Sequence, residues 1–120
     1  MKILIVDDSR AMRLIVMKTL REAGYSGHDI TEAEDGAKAL DLIKADAPDL
    51  VLCDWNMPNM TGPELLQSLT DEEINTVFGF VTTETTQEMK DKATEMGARF
   101  MISKPFTPES FKASLDSYIN

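Results

Sequence analysis

Short apolar runs alternate with helical patterns from one end of the chain to the other, and this alternation constrains the fold more than any other feature. Lys2–Val6, Leu50–Cys53 and residues 77–81 and 99–103 are rich in strand-forming side chains, and Asp29–Ala33 is a weaker, polar run of the kind an edge strand carries. Between them, Met12, Ile15, Val16 and Leu20 recur at helical spacing, with Ser9 as a cap and Gly24 as a stop. Ala37, Leu40 and Ile43 mark a second helix, and Pro63, Leu65, Leu66 and Leu69 a third. Thr85, Thr86, Gln87 and Glu88 read as a capping box that leads through Met89, Ala93 and Met96 to Gly97. Thr107 and Pro108 open a last helix with Phe111, Leu115 and Ile119 on one face.

Strand followed by helix, repeated in this way, predicts an α/β fold. Near-continuous apolar strands separated by helices belong in a parallel sheet covered on both faces. Right-handed crossovers leave few topologies, and the expectation is a doubly wound, five-stranded (βα)5 sheet of flavodoxin-like type in the order 2-1-3-4-5. The 120 residues suffice for one domain, 1–120, with its own core, and the expectation is a unit that carries no output domain. No apolar run is long enough to cross a bilayer, and the start MKILIVDDSR is a short strand without the features of a signal peptide. The single cysteine, Cys53, excludes an internal disulfide, and the expected location is the cytoplasm.

The net charge of −9 argues against nucleic acid or an anionic membrane as a direct partner. That charge is unevenly placed. Residues 29–73 carry twelve acids and two lysines, whereas residues 85–120 carry five acids and five bases. The C-terminal third is therefore the part most able to face an acidic or apolar protein partner; plain solvated helices would give the same count.

In an open sheet of this kind, ligands bind beyond the carboxyl ends of the strands, where the winding reverses. Asp7 and Asp8 follow the first strand, Asp54 the third, Thr82 and Thr83 the fourth, and Lys104 with Pro105 the fifth. Taken singly, an aspartate past a strand is a turn or cap residue, Thr82 a strand-end residue and Lys104 a solvated lysine. Together they are harder to dismiss. Three carboxylates in one place repel and raise one another's pKa unless a cation sits among them. An all-oxygen donor set suits a hard cation that keeps waters, namely Mg²⁺. A cation, a lysine and hydroxyl donors are the parts that stabilise a phosphoryl group in transfer. Asp54, at the end of a run apolar on both faces, is then the carboxylate nucleophile that becomes an aspartyl phosphate.

These residues resemble a known family. The pair DD after the first strand, D-W-N-M-P-x-M-x-G after the third, Thr after the fourth and K-P-F after the fifth are similar to a response-regulator receiver domain, over the whole chain. Within that family the likeness is to the single-domain chemotaxis regulators. The resemblance implies that Asp54 accepts a phosphoryl group from a histidine kinase. It implies that Asp8, Asp54 and the backbone carbonyl of Asn56 ligate Mg²⁺, with Asp7 helping through water. Lys104 and Thr82 would contact the phosphoryl group, Thr83 would lend a backbone N–H, and the Lys104–Pro105 peptide would be cis. Phosphorylation would then shift the surface of the fourth helix, fifth strand and fifth helix, and a protein partner would read it. The implied partners are a kinase, a component of the flagellar motor switch and a phosphatase, with the chain itself a monomer. A phosphorelay shuttle or a regulator of another complex would use the same residues.

The sequence departs from the family pattern at two positions. Met101 stands where the family usually has an aromatic residue, three positions before the lysine, so a threonine–aromatic coupling does not carry over. Signalling through loop rearrangement or helix movement is the expectation instead. Thr83 is bulkier than the residue common at its place, and it either narrows access to the site or faces solvent. Asn56 and Glu84 flank the site as they do in the chemotaxis regulators, which implies self-dephosphorylation of a similar kind. A free-standing Mg²⁺-dependent phosphohydrolase is the rival from another class. Such enzymes place a D-x-D pattern after the first strand and carry a cap domain, and neither is present here.

Overall fold

The computed structural model describes residues 1–83 and 85–119. Strands β1 (Lys2–Val6), β2 (Asp29–Ala33), β3 (Leu50–Cys53), β4 (Val77–Thr82) and β5 (Phe100–Ser103) alternate with helices α1 (Arg10–Glu22), α2 (Gly36–Ala45), α3 (Gly62–Asp71), α4 (Gln87–Glu95) and α5 (Pro108–Leu115). All pairings are parallel and the order is β2-β1-β3-β4-β5, as the pattern predicts. Val6 lies beside Cys53, and Cys53 beside Phe80, so the strands leading to the acidic residues end level with one another.

Alternation along the strands divides the core into two layers. Leu4, Val6, Val51, Cys53, Phe78 and Phe80 face Ala39, Ile43, Leu65, Leu69 and Ala93, from α2, α3 and α4. Ile3, Ile5, Leu50, Leu52, Val81 and Ile102 face Val16 and Leu20 of α1 and Phe111 and Leu115 of α5. All four residues of β3 are buried, because helices cover both of its faces. The polar strand β2 is an edge, where only one side of the ladder is paired.

The helix boundaries follow their caps. Ser9, Asp35, Thr61, Thr86 and Thr107 each accept a backbone N–H of the first turn with the side-chain oxygen. At α4 the cap is Thr86, accepting from Met89, and not a Thr85–Glu88 box. Two of the apolar residues that mark the helical spacing lie outside the core. Ile15 is exposed and Thr19 takes the buried place, its hydroxyl bonded to the Ile15 carbonyl; a hydroxyl satisfied within its own helix is tolerated in an apolar layer. Ala37 is likewise exposed, and α2 packs through Gly36, Ala39 and Ile43. Among the described residues, no helix is long and apolar enough to cross a membrane.

Candidate functional site

The carboxyl ends of β1 and β3 are tied directly together, since the Asp54 N–H donates to the Val6 carbonyl at 2.9 Å. One carboxylate oxygen each from Asp7, Asp8 and Asp54 lies within 4.8 Å of the others. Asp7 is buried, Asp54 half-buried and Asp8 exposed, so the cluster runs from the sheet out to solvent. Lys104 reaches in from the end of β5, its Nζ 3.1 Å from Asp7 Oδ2 and 3.7 Å from Asp54 Oδ1. The Lys104 N–H donates to the Thr82 carbonyl at 2.8 Å, which anchors the start of the loop that carries it; the Lys104–Pro105 peptide is cis, as expected.

The Asp54 carboxyl titrates above its ordinary range. Burial is the main cause, and the Asp7 and Asp8 carboxylates add to it against the opposing pull of Lys104 and the Trp55 N–H. The Trp55 N–H donates to Asp54 Oδ1 at 2.8 Å, and the indole tilts against Phe80 with ring centres 4.7 Å apart. Cys53 beside it is fully buried, its thiol directed at the Asp54 carbonyl and pushed far up in pKa by burial. It behaves as a small apolar side chain and offers no ligand. A set of three carboxylates with one oxygen each, and no nitrogen or thiolate donor, fits a hard divalent cation of the Mg²⁺ kind.

Thr82 is buried at the end of β4, whereas the Thr83 side chain faces solvent. Asn56 is exposed in the loop after β3. Glu84, read as flanking the site, lies outside the described residues. Met101 is half-buried and packs against the core layer under α2, α3 and α4. Phe100 is on the other face of β5, against Tyr118 at 5.8 Å between ring centres.

Two supports of the site carry little signal in the sequence. Asp35 caps α2 through Oδ1, and its other oxygen accepts from Asn59 Nδ2 at 2.8 Å, fastening the loop that follows Asp54. Its carboxyl titrates below the ordinary range, chiefly through the Lys38 N–H and then Asn59. Asn59 has a φ of 66°, a left-handed conformation that asparagine tolerates better than most residues. Arg13 is the second support, donating from Nη1 to the Asp7 carbonyl at 2.6 Å and from Nε to Glu32 at 2.9 Å.

The family model described as the response regulator receiver domain matches residues 3–116. The chain belongs to this family. It is 42% identical over 118 residues to the chemotaxis protein CheY-3 of Vibrio cholerae serotype O1, covering 97% of this chain and 89% of that protein. To the chemotaxis protein CheY of Pseudomonas aeruginosa it is 36% identical, covering 97% and 94%. Among solved structures, the chemotaxis response regulator CheY4 of Vibrio cholerae superposes with a TM-score of 0.85 at 34% identity, over 98% of each chain. The receiver is thus a CheY-like response regulator with its acidic cluster at the carboxyl ends of β1 and β3.

Proposed function

We propose that this receiver is a phosphorylation switch in which Asp54 accepts a phosphoryl group from a histidine kinase. The observation that carries the reading is the placement of Asp54: half-buried at the end of the central strand, with Lys104 Nζ 3.7 Å away and two further carboxylates beside it. An Asp54 carboxylate oxygen forms a bond to phosphorus as the bond from phosphorus to the kinase imidazole nitrogen breaks, and the electron pair of that bond stays on the nitrogen. Asp7, Asp8, Asp54 and the Asn56 carbonyl would hold Mg²⁺, which when bound supplies positive charge against the phosphoryl oxygens. Lys104 adds a second positive charge, the Thr82 hydroxyl and the Thr83 N–H supply donors, and a water later attacks phosphorus to release phosphate and restore the carboxylate.

The phosphoryl group brings about 1.5 to 2 negative charges to the pocket at pH 7. The surface of α4, β5 and α5 responds, and a protein partner reads the change. The curated relatives are chemotaxis proteins that this chain matches over 89% and 94% of their own length, so the natural partner class is a component of the flagellar motor switch, with a kinase and a phosphatase upstream. In this reading residues 1–120 act in the cytoplasm as a monomeric receiver whose output lies in another protein. Met101 favours a second reading, a phosphorelay shuttle or a regulator of another complex, because the side chain there cannot act as an aromatic switch.

The test is the intact mass after incubation with Mg²⁺ and acetyl phosphate, beside an Asp54→Asn control. A single phosphoryl adduct that requires both Mg²⁺ and Asp54 is the expected outcome. Absence of an adduct, or an adduct that survives Asp54→Asn, would sink the assignment.

A further inference from the structure

Asp8 is the exposed member of the acidic cluster, and among the described residues its carboxylate makes no hydrogen bond or ion pair. With no contact on the side chain, the backbone is the part of Asp8 that is held in place. Three contacts of Asp7 fix that backbone. The Asp7 N–H donates to the Ala33 carbonyl at 3.1 Å, the Ser9 N–H donates to Asp7 Oδ1 at 2.9 Å, and the Asp7 carbonyl accepts Nη1 of Arg13 at 2.6 Å. The last of these matters most for Asp8. The Asp7 carbonyl and the Asp8 N–H and Cα belong to one planar peptide unit, so holding that oxygen sets the plane from which the Asp8 side chain departs.

Arg13 is well placed to hold it. Its side chain is 13% exposed, and Nε donates at 2.9 Å to Glu32, which lies beside Ile5 across the β1–β2 ladder. The guanidinium therefore joins α1, the end of β1 and the edge strand in one clip. Two donors diverging from a rigid plane make both contacts at once, and a lysine ammonium on a flexible stem cannot reproduce the pair.

We infer that Arg13 is a positioning residue for the divalent-cation site, fixing the Asp7–Asp8 peptide so that the Asp8 carboxylate is presented to the ion. The inference rests on the reading of Asp7, Asp8 and Asp54 as that site. Arg13 carries positive charge near an acidic cluster, and charge alone would make it weaken cation binding. Positioning works in the opposite direction. The sign of the effect of removing Arg13 therefore decides between the two.

The experiment is calorimetric titration of the intact chain with Mg²⁺, without any phosphodonor and at fixed ionic strength. Arg13→Gln is expected to weaken Mg²⁺ binding about tenfold, within the range seen when partners behind metal ligands are removed. Arg13→Lys keeps the charge, loses the fork and is expected to weaken binding about threefold, which keeps the test available if the glutamine variant does not fold. Arg10→Gln removes an exposed cation from the first position of α1, and binding is expected to stay the same or tighten slightly. Unchanged or tighter binding in Arg13→Gln, with only the thermal midpoint lowered, would overturn the inference and leave Arg13 a structural clip. Absence of saturable Mg²⁺ binding in the unaltered chain would overturn the metal reading itself, and the inference with it.

Discussion

On the β1 side of the pocket every hydrogen-bonding group of Asp7 is committed: its N–H to Ala33, its carbonyl to Arg13, and its two carboxylate oxygens to Ser9 and Lys104. On the β5 side the loop after β4 is held to the strand by a bond from the Ser103 hydroxyl to the Thr85 hydroxyl at 3.1 Å, in an exposed setting, and Thr83 faces solvent. The charges divide less sharply. Among the described residues Lys2, Arg13, Lys18, Lys38, Lys44 and Lys104 each form an ion pair, whereas Arg10, Arg21, Lys90, Lys92, Arg99 and Lys112 form none. Rigid placement is concentrated where carboxylates must converge in spite of their repulsion. Around α4, β5 and α5 the cations Lys90, Lys92, Arg99 and Lys112 are balanced by nearby acids in number but held by none of them in an ion pair among the described residues, so in the proposed role that face could meet a partner without first breaking such contacts.

A pair of glycines sharpens this contrast and carries the largest expected effects on stability. A Cβ on Gly62 would strike the Asp54 carbonyl and come within 2.8 Å of the Phe80 ring. Neither can yield, because the Asp54 N–H is tied to Val6 and Phe80 is wholly buried. The nearest atoms that a Cβ on Gly79 would strike belong to the half-buried Phe100 ring, a side chain that can shift more readily than the Asp54 backbone. Gly62→Ala is expected to cost about 3 kcal/mol and Gly79→Ala about 1 kcal/mol, measured by urea unfolding. Equal losses would mean that the β4–β5 region is as tightly fixed as the acidic side.

The same contrast explains what could be foreseen. The strand order, the two covered faces of β3 and the convergence of Asp7, Asp8, Asp54 and Lys104 were legible because they follow from period, run length and the rule that sites form at strand ends. Arg13 and Asp35 were not legible as supports. Each makes contacts with residues distant in sequence, Arg13 with Glu32 and Asp35 with Asn59, and a lone charged residue near a helix start is indistinguishable from a solvated one until the chain is folded. Ile15 and Ala37 mark helices that do form, yet both are exposed, for another reason. Helical spacing gives a stripe broader than the buried one, and only the neighbouring elements decide its edges.

A contact far from the pocket gives an intermediate effect with a pH signature. The buried Tyr25 hydroxyl donates to Asp116 and ties the start of the α1–β2 connection to the end of α5. Burial first, and then this bond and the Asp116 charge, push its pKa from 10.0 up to about 12. A proton held more tightly in the folded chain stabilises it fully below the unfolded pKa near 10 and is lost as pH rises toward 12. Urea midpoints are therefore expected to fall between those values, and Tyr25→Phe is expected to remove most of that fall while costing about 1 kcal/mol at neutral pH. A midpoint with the same alkaline slope in both proteins would show that Tyr25 is not the group responsible.

The smallest expected effect lies at Ser103, and it tests the contrast most directly. Ser103→Ala removes the hydroxyl that bridges to Thr85 at a surface position, so global stability should change by less than about 0.5 kcal/mol. A single exposed hydrogen bond can nonetheless govern a local opening that stays far below the global unfolding free energy. Amide exchange at Thr85 and Thr86 is therefore expected to quicken several-fold, while exchange at Ser9, whose N–H is bound to Asp7, keeps its rate. If both segments quicken together, the two flanks open as one unit, and phosphorylation at Asp54 would have to move the β1 side in order to move the β5 side. If only the β4–α4 loop quickens, the carboxylates can keep their geometry while the partner-facing surface rearranges.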